Sequence, residues 1–156
     1  MQANLQLTPM QALPKLMQYC AYQERCHSEV QHKLYSYGIT GADADSIIST
    51  LIQNNYLNEE RYAIAYAGGK HRTKLWGKVK IKYALKAKQV SDYSIRKALA
   101  SLPYDDYEAS FMHVYTERVH TVRSEKNIYT KKRKILTYLQ QRGYEVTRIQ
   151  EQLKTL

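Results

Sequence analysis

Apolar residues recur every three to four positions along most of the chain, which is the spacing of amphipathic helices. Across residues 56–99 this spacing predicts three helices, which begin after Asn58, near Gly77 and after Ser91. Asn58 and Ser91 are favourable N-cap residues, and the acidic residues behind them suit the positive end of the helix dipole. We expect the Gly68-Gly69 pair to end or weaken the first of these helices.

Three further helices are predicted before this stretch. Thr8 and Gln11 have the spacing of a capping box, and Pro14 either kinks the helix that follows or marks its true start. Gly38 is expected to end the second helix, and Thr40 to cap the third. The predicted buried positions are Leu13, Leu16, Met17, Cys20, Ala21, Val30, Leu34, Tyr37, Ile47, Ile48, Leu51 and Ile52.

A last group of three helices is predicted after Pro103, which a helix cannot cross without losing a hydrogen bond. Residues 122–129 are polar and are interpreted as a frayed helix end and a loop, after which Thr130 caps the next helix. Gly143 ends that helix, and a short helix over about residues 146–154 closes the chain. The predicted buried positions are Ala109, Met112, Val114, Tyr115, Val119, Ile135, Leu136, Leu139, Ile149 and Leu153.

Several apolar positions repeat at a fixed separation along the chain. Four residues of the middle group each have an identical residue 54 positions later, and offsets of 51 and 48 relate the first group to the middle one. Any two amphipathic helices can be slid into register by chance, but four identities at one offset favour a true repeat. The pairs are Ile81 with Ile135, Leu85 with Leu139, Ile95 with Ile149 and Leu99 with Leu153.

These patterns predict an all-α fold of three tandem three-helix repeats that form an elongated, curved array. The predicted organisation is a flexible N-terminus over residues 1–7, followed by repeats over 8–54, 55–103 and 104–156. A three-helix unit of about 45 residues is too small to be comfortably stable alone. Each unit is therefore expected to lean on a neighbour.

The net charge of +10 is unevenly distributed along the chain. It amounts to −1 over residues 1–57, +8 over residues 58–103 and +3 over residues 104–156. A polyanion, or an acidic protein surface beside one, is the natural partner of such a basic middle segment. A solvated lysine-rich face has the same composition and stays open as the alternative.

Two basic clusters fall on equivalent helices of the second and third repeats. Lys78, Lys82 and Lys86 form a stripe along one helix flank, where they repel one another unless an anion neutralises them. The second cluster, residues 131–134, opens its helix, where cations oppose the dipole. Stacked repeats would present both clusters along one extended surface. The candidate nucleic-acid or filament-binding residues are therefore Lys70, Arg72, Lys74, Trp76, Lys78, Lys80, Lys82, Lys86, Lys131, Lys132, Arg133, Lys134 and Arg142.

The aromatic residues allow two interpretations. Trp76 either anchors the first helix of the middle unit against the second, which is favoured, or stacks on a base. Tyr62, Tyr66, Tyr83 and Tyr138 fall near apolar stripes and are expected at the edge of the core, whereas Tyr35, Tyr93 and Tyr129 are expected to be exposed.

No residue pattern indicates catalysis or a bound cofactor. The five histidines lack the spacing and carboxylates of a metalloprotease helix, and no glycine-rich phosphate loop is present. His113 and His120 share a face, but two ligands alone do not make a metal site. Asp105 and Asp106 suit a helix start better than a pair of acid and base. We therefore expect no enzymatic activity, no cofactor and no metal.

The two cysteines, Cys20 and Cys26, are six residues apart in a helical stretch, which turns their side chains to opposite faces and argues against a disulfide. The N-terminus lacks the basic and apolar regions of a secretory signal, and no run of about 18 apolar residues occurs. We expect a soluble, cytoplasmic monomer that does not bind membranes.

Four segments in order resemble motifs of the RecX family of bacterial recombinase regulators. They read RCHSEVQHKLYSYG in the first unit, NYLNEERYA and WGKVKIKYAL in the second, and KKRKILTYLQQRGY in the third. The chain departs from the family pattern at Asn55 and Gln89, where glycine is common, and at Glu59, where aspartate is usual. Gly68-Gly69 also interrupts what is usually an unbroken helix. The matching residues are Arg25, Ser28, Glu29, Val30, Lys33, Leu34, Gly38, residues 56–63, Gly77, Lys80, Ile81, Leu85 and residues 132–144.

The resemblance implies a non-enzymatic protein that binds the RecA recombinase and the RecA–DNA filament. Family members lie in the helical groove of the filament, and most restrain strand exchange and coprotease activity, while some also bind single- or double-stranded DNA directly. Two alternatives from other classes stay open. One is a standalone DNA-binding module of the helix-turn-helix type, and the other is a helical adaptor that binds only protein.

Overall fold

The structure, a computed structural model, describes residues 6–156, and over this range the chain is helical without any strand. The all-α tandem arrangement predicted from the sequence is confirmed. The predicted flexible N-terminus falls mainly on residues 1–5, which lie outside the described residues. The helices are α1 (Pro9–Tyr22), α2 (His27–Ser36), α3 (Gly41–Gln53), α4 (Glu59–Lys74), α5 (Lys78–Ala87), α6 (Asp92–Ala100), α7 (Tyr104–Thr121), α8 (Ile128–Gln141) and α9 (Val146–Leu153).

The predicted start and stop signals act at most helix ends. Thr8 and Gln11 form a capping box at the start of α1, which runs through Pro14 rather than beginning there. The Asn58 side chain accepts a hydrogen bond from the Arg61 N–H at 2.9 Å, and Ser91 caps α6 in the same way. These ends form as predicted because an N-cap satisfies backbone donors within its own first turn.

Helices α1–α3, here called unit 1, enclose a core of their own. Leu16, Leu34 and Leu51 are completely buried in it. Ile52 was expected in this core but is 45% exposed, because it lies about 100° around α3 from Leu51. Ala21 is likewise exposed.

Helices α4–α6, called unit 2, and α7–α9, called unit 3, share a single core. Tyr107 and Phe111 of α7 are buried there, with ring centroids 5.6 and 5.4 Å from that of Tyr144. The sequence pattern missed both residues and wrongly placed the exposed Ala109 inside. The buried residues of α7 contact unit 2 as well as unit 3. The apolar spacing within α7 alone does not predict the contacts with unit 2.

The 54-residue offset relates structurally equivalent positions of units 2 and 3. The residues it pairs are all buried except Leu99, which is partly buried and packs against the same core. Val90 and Tyr144, also related by this offset, both lie at the turn between the second and third helices of their unit. The repeat inferred from sequence is therefore a repeat of core positions.

The same turn of each unit accepts a hydrogen bond from the segment that precedes the unit. The accepting carbonyl is at the equivalent position in all three units. In unit 1 its donor precedes the first helix, and in units 2 and 3 the donor belongs to the preceding unit. The pairs are Leu7 N–H to Tyr37 O at 3.0 Å, Ser28 Oγ to Lys88 O at 3.1 Å and Gly77 N–H to Arg142 O at 2.8 Å. Unit 1 therefore joins unit 2, and unit 2 joins unit 3, through contacts at equivalent positions.

The Gly68-Gly69 pair does not end α4, so that part of the prediction was wrong, whereas a weakening of the helix stays a prediction. Each glycine in a helix interior costs about 1 kcal/mol relative to alanine. Burial of Tyr62, Ala63 and Ala67 along the same helix, which makes the most extensive helix–helix contact of the chain with α6, offsets this cost.

Helix α8 begins at Ile128 and not after Thr130, because Asn127 is its N-cap. The Asn127 side-chain oxygen accepts hydrogen bonds from the N–H groups of Tyr129 and Thr130, at 2.9 and 3.2 Å. The basic residues 131–134 consequently lie one turn inside the helix. The expectation that they open the helix against its dipole is therefore incorrect.

Cys20 and Cys26 are buried and free, as predicted. Burial raises the pKa of the Cys20 thiol above its usual value. Among the tyrosines, Tyr83 was expected at the core edge but is 71% exposed, because it projects from α5 away from the buried Ile81 and Leu85. The tyrosines predicted to be exposed are so, namely Tyr35, Tyr93 and Tyr129.

Candidate nucleic-acid interface

Three predicted lysines surround the half-buried ring of Trp76. The Nζ atoms of Lys80, Lys70 and Lys74 lie 4.7, 5.2 and 5.6 Å from the ring centroid. Trp76 also packs against the core shared by units 2 and 3. We call these four residues the Trp76 cage. Partial burial and the neighbouring Lys74 ammonium lower the pKa of Lys70.

The backbone around Trp76 is fixed by contacts that the sequence did not reveal. Leu75 ends α4 in the left-handed conformation with φ of 53°, which turns the chain sharply toward α5. The buried His71 bonds the Trp76 carbonyl through Nδ1 at 3.2 Å and Ser110 Oγ through Nε2 at 3.1 Å. Its ring also stacks on Tyr107, with centroids 5.4 Å apart. His71 thus ties the α4–α5 turn to α7.

The α4–α5 turn and the α8–α9 turn are in direct backbone contact. The Gly77 N–H donates to the Arg142 carbonyl at 2.8 Å, and the Val79 N–H donates to the Gly143 carbonyl at 2.9 Å. A Cβ added to Gly77 would overlap the Gly143 carbonyl, so a glycine is needed at this approach. The Tyr144 hydroxyl closes the junction by donating to the Leu75 carbonyl at 2.9 Å, and burial raises its pKa to about 12.

A second buried tyrosine links the same junction. The Tyr107 hydroxyl accepts from the Lys78 N–H at 3.0 Å and donates to the Glu145 carboxylate at 2.9 Å. Burial raises the pKa of Tyr107 well above its usual value, so the hydroxyl keeps its proton and its donor role. Units 2 and 3 are therefore held as one body.

The junction carries the basic surface from unit 2 onto unit 3. The Lys80 ammonium donates to the Gln141 carbonyl at 3.5 Å, at the end of α8. From there one flank of α8 continues through Thr137 to Arg133, beside a shallow groove that Arg118 of α7 also lines. We call this surface the basic band. It comprises the Trp76 cage together with Gln141, Thr137, Lys134, Arg133 and Arg118.

The predicted stripe of Lys78, Lys82 and Lys86 does not belong to the basic band. Lys78 turns toward α7, with its ammonium 4.8 Å from the Tyr107 ring centroid. Lys82 and Lys86 are exposed on the flank beside α6, where Lys86 lies 3.9 Å from Asp92. The structure therefore divides the predicted basic residues of α5 between opposite flanks.

The remaining predicted residues are placed in several ways. Arg142 is engaged structurally, because its guanidinium donates to the Lys74 carbonyl across the junction. Arg72 is exposed, with its guanidinium close to the backbone of Gly68. Lys134 pairs with Glu125 at 2.9 Å. Lys131 and Lys132 are half-buried on α8. A role of any of these in binding stays a prediction.

Arg118 is the basic residue of the band that sequence reasoning missed. It lies in the last turn of α7, and its guanidinium is 4.7 Å from the ring centroid of Tyr138 on α8. A basic residue in a last turn is common because it suits the helix dipole, so nothing in the local sequence distinguishes it. Only the packing of α7 on α8 brings it beside Arg133.

Two other findings bear on chemistry. Within the part of the chain that the structure describes, no three histidine, cysteine, aspartate or glutamate side chains come together as a metal site. Over the same residues, no helix combines the length and the apolar character needed to cross a bilayer.

Comparison with known proteins shows which proteins this chain is similar to. A family model described as "RecX, second three-helix domain" matches residues 58–99, which correspond to α4–α6. "Regulatory protein RecX" of Vibrio campbellii is 27% identical over 149 residues, covering 96% of this chain and 94% of the relative. The chain is therefore similar to RecX proteins along most of its length. The predicted resemblance is thereby confirmed, and the matched segment is the one that carries the Trp76 cage.

The RecX proteins that the chain matches differ in length. "Regulatory protein RecX" of Bacillus licheniformis is 29% identical over 133 residues, which cover 83% of this chain but only 49% of the relative. The chain therefore spans about half the length of that relative. The crystal structure of RecX from Lactobacillus salivarius superposes with a TM-score of 0.82 at 23% identity, over 95% of this chain and 97% of the other. This likeness establishes the fold.

Proposed function

We propose that this chain regulates the RecA recombinase by binding within the RecA–DNA filament with its basic band facing the DNA. The relatives that it matches are named regulatory proteins. The observation that supports a filament contact is the continuity of the basic band across units 2 and 3, which Gly77 and Gly143 hold in backbone contact. The proposal places its action in the cytoplasm, with the chromosome.

The proposed mechanism is occupancy of the filament groove. A rigid surface of positive charge along two units follows one strand backbone, while the rest of the chain contacts the protein. A chain seated in this way blocks the incoming duplex or promotes filament disassembly. The proposal includes inhibition, since most members of the family inhibit, and includes no catalytic step.

A strand-exchange titration tests the proposal directly. Purified chain added to RecA on single-stranded DNA is expected to reduce strand exchange and ATP hydrolysis at less than one chain per RecA protomer. A variant that removes three charges of the band (Lys80→Gln, Arg118→Gln and Arg133→Gln) is expected to inhibit less. Full exchange at a stoichiometric excess of the native chain would rule out inhibition.

A standalone DNA-binding module is the second candidate, and the basic band favours it as well. Such a module binds duplex tightly without RecA, and its affinity falls steeply with salt, by a log–log slope of about −0.9 for each phosphate contact. The regulator instead requires RecA for tight binding. Fluorescence anisotropy of a labelled duplex with and without RecA separates the two.

A further inference from the structure

The Trp76 cage holds more positive charge than its surroundings balance. Its three ammonium groups lie within 5.6 Å of one ring centroid. Among residues 6–156, no carboxylate oxygen lies within 4.0 Å of Lys70, Lys74 or Lys80. Cation–π attraction to the indole offsets part of the repulsion between the ammonium groups but neutralises none of their charge.

The cage is also built on fixed supports. Lys70 and Lys74 stand one turn apart on α4, and Lys80 reaches the ring from α5. The Trp76 backbone is held by His71, and the ring packs against the shared core. An anion that enters therefore meets preorganised donors and does not have to order a flexible loop.

We propose that the Trp76 cage binds a phosphate of a nucleic-acid strand and that the indole supports the lysines instead of stacking on a base. Ammonium groups donate strong, charge-assisted hydrogen bonds to phosphate oxygens. The ring that a base would need already contacts three ammonium groups. A nucleic-acid strand and a free polyphosphate both carry phosphate groups. We choose the strand as the ligand because this inference rests on the proposed function.

The basic band sets the spacing of a second contact. Gln141, which receives Lys80, is eight residues along α8 from Arg133, or about 12 Å at 1.5 Å per residue. The cage and the Arg118–Arg133 pair are therefore expected to hold different phosphates of one strand.

Trp76 reports on its own site, because it is the only tryptophan in the sequence. The full chain is titrated with a thymidine strand of roughly eight nucleotides, with an abasic strand of the same length and with inorganic pyrophosphate. Both strands are expected to cause the same saturable change in Trp76 emission, with midpoints within about twofold. Pyrophosphate is expected to need at least about tenfold more, because it reaches only the cage.

Each other result overturns part of the proposal. A response to the thymidine strand but not to the abasic strand would mean that Trp76 stacks on bases. Saturation by pyrophosphate at the same concentration as the strands would make the cage a site for free anions. No response to any of the three probes would mean that the cage binds no phosphate. None of these outcomes depends on the folding of a variant.

A pair of matched variants assigns the effect to the cage. Lys70→Gln, Lys74→Gln and Lys80→Gln together remove three charges from it, while Lys82→Gln, Lys86→Gln and Arg96→Gln remove three from the opposite, exposed flank. The cage variant is expected to bind the strand about tenfold more weakly, with a log–log salt slope shallower by about 0.7 for each lost phosphate contact. Equal losses in both variants would contradict the assignment.

Failure of this inference is distinguishable from failure of the proposed function. If the native chain inhibits strand exchange without any Trp76 response, the RecA proposal stands and the cage proposal fails. If Trp76 responds to the strands but strand exchange is unaffected, the cage proposal stands and the RecA proposal fails. Far-UV circular dichroism establishes that each variant keeps its helical content.

Discussion

The junction between units 2 and 3 is most sharply tested by Gly77→Ala. Gly77 has φ of −77°, which alanine also adopts, so the change adds no backbone strain. The added Cβ would instead overlap the Gly143 carbonyl and push the two turns apart. A loss of stability larger than the cost of the changed N-cap residue therefore reports on packing across the junction.

The expected loss is the sum of two effects. Separating the turns breaks the bonds from Gly77 N–H to Arg142 and from Val79 N–H to Gly143, at about 1 kcal/mol each. Accommodating the methyl group in a packed site costs about 1–3 kcal/mol. A total of about 3–5 kcal/mol lowers the melting temperature by roughly 6–20 °C for a chain of this size.

Gly69→Ala is the matched control, because a Cβ at Gly69 meets no atom within 4 Å. Alanine in this helix interior is expected to stabilise α4 by about 0.5–1 kcal/mol. The assay is thermal unfolding of both variants, followed by circular dichroism. A loss at Gly77 below about 1 kcal/mol, which the change of N-cap residue alone would cause, would refute the close contact between the turns.

Further predictions concern two polar contacts within units 2 and 3. The bidentate hydrogen bonds from Arg148 lower the pKa of Glu108, so this carboxylate stabilises the fold above its unfolded pKa and loses the effect as pH falls through the lowered value. The difference in melting temperature between the native chain and Glu108→Gln is therefore expected to shrink from about pH 6 to about pH 3, and a constant difference would contradict it. His71→Phe leaves the Trp76 carbonyl without its partner and is expected to cost about 1–3 kcal/mol in urea unfolding, more than Ser110→Ala, which leaves that bond in place.

Features encoded within one turn of the chain were predictable from the sequence. Asn58 and Ser91 cap their helices, because the donors that an N-cap satisfies lie two or three residues away. The buried pairs at the 54-residue offset, such as Ile81 with Ile135, were predictable because repeats preserve core positions. These signals suffice for an all-α repeat fold.

Features that depend on contacts between units were not predictable from one helix at a time. The pattern of α7 gave no sign that Tyr107 faces unit 2, and the buried His71 gave none that it would hold Trp76. The basic residues of α5 were identified from the sequence. The surface that each of them faces depends on where α6 and α7 pack against α5. Lys78 and Lys82 therefore face different helices, α7 and α6, although their spacing predicted one stripe.

The recurring turn contact explains why the repeats stack without a long linker. The carbonyls of Lys88 in unit 2 and Arg142 in unit 3 each accept a hydrogen bond from the preceding unit. Each contact is a hydrogen bond of modest strength, and the shared core of units 2 and 3 adds apolar burial. Unit 1 has a separate core, so the basic band rests on the two units that share one.

The most direct test of the account is a photo-crosslinker placed at Thr137, which lies exposed in the middle of the basic band. The control position is Ser49, exposed on α3 of unit 1. In RecA filaments on labelled DNA, the account predicts crosslinks to DNA from position 137 and few from position 49. Crosslinks to DNA from position 49 but not from position 137 would contradict it.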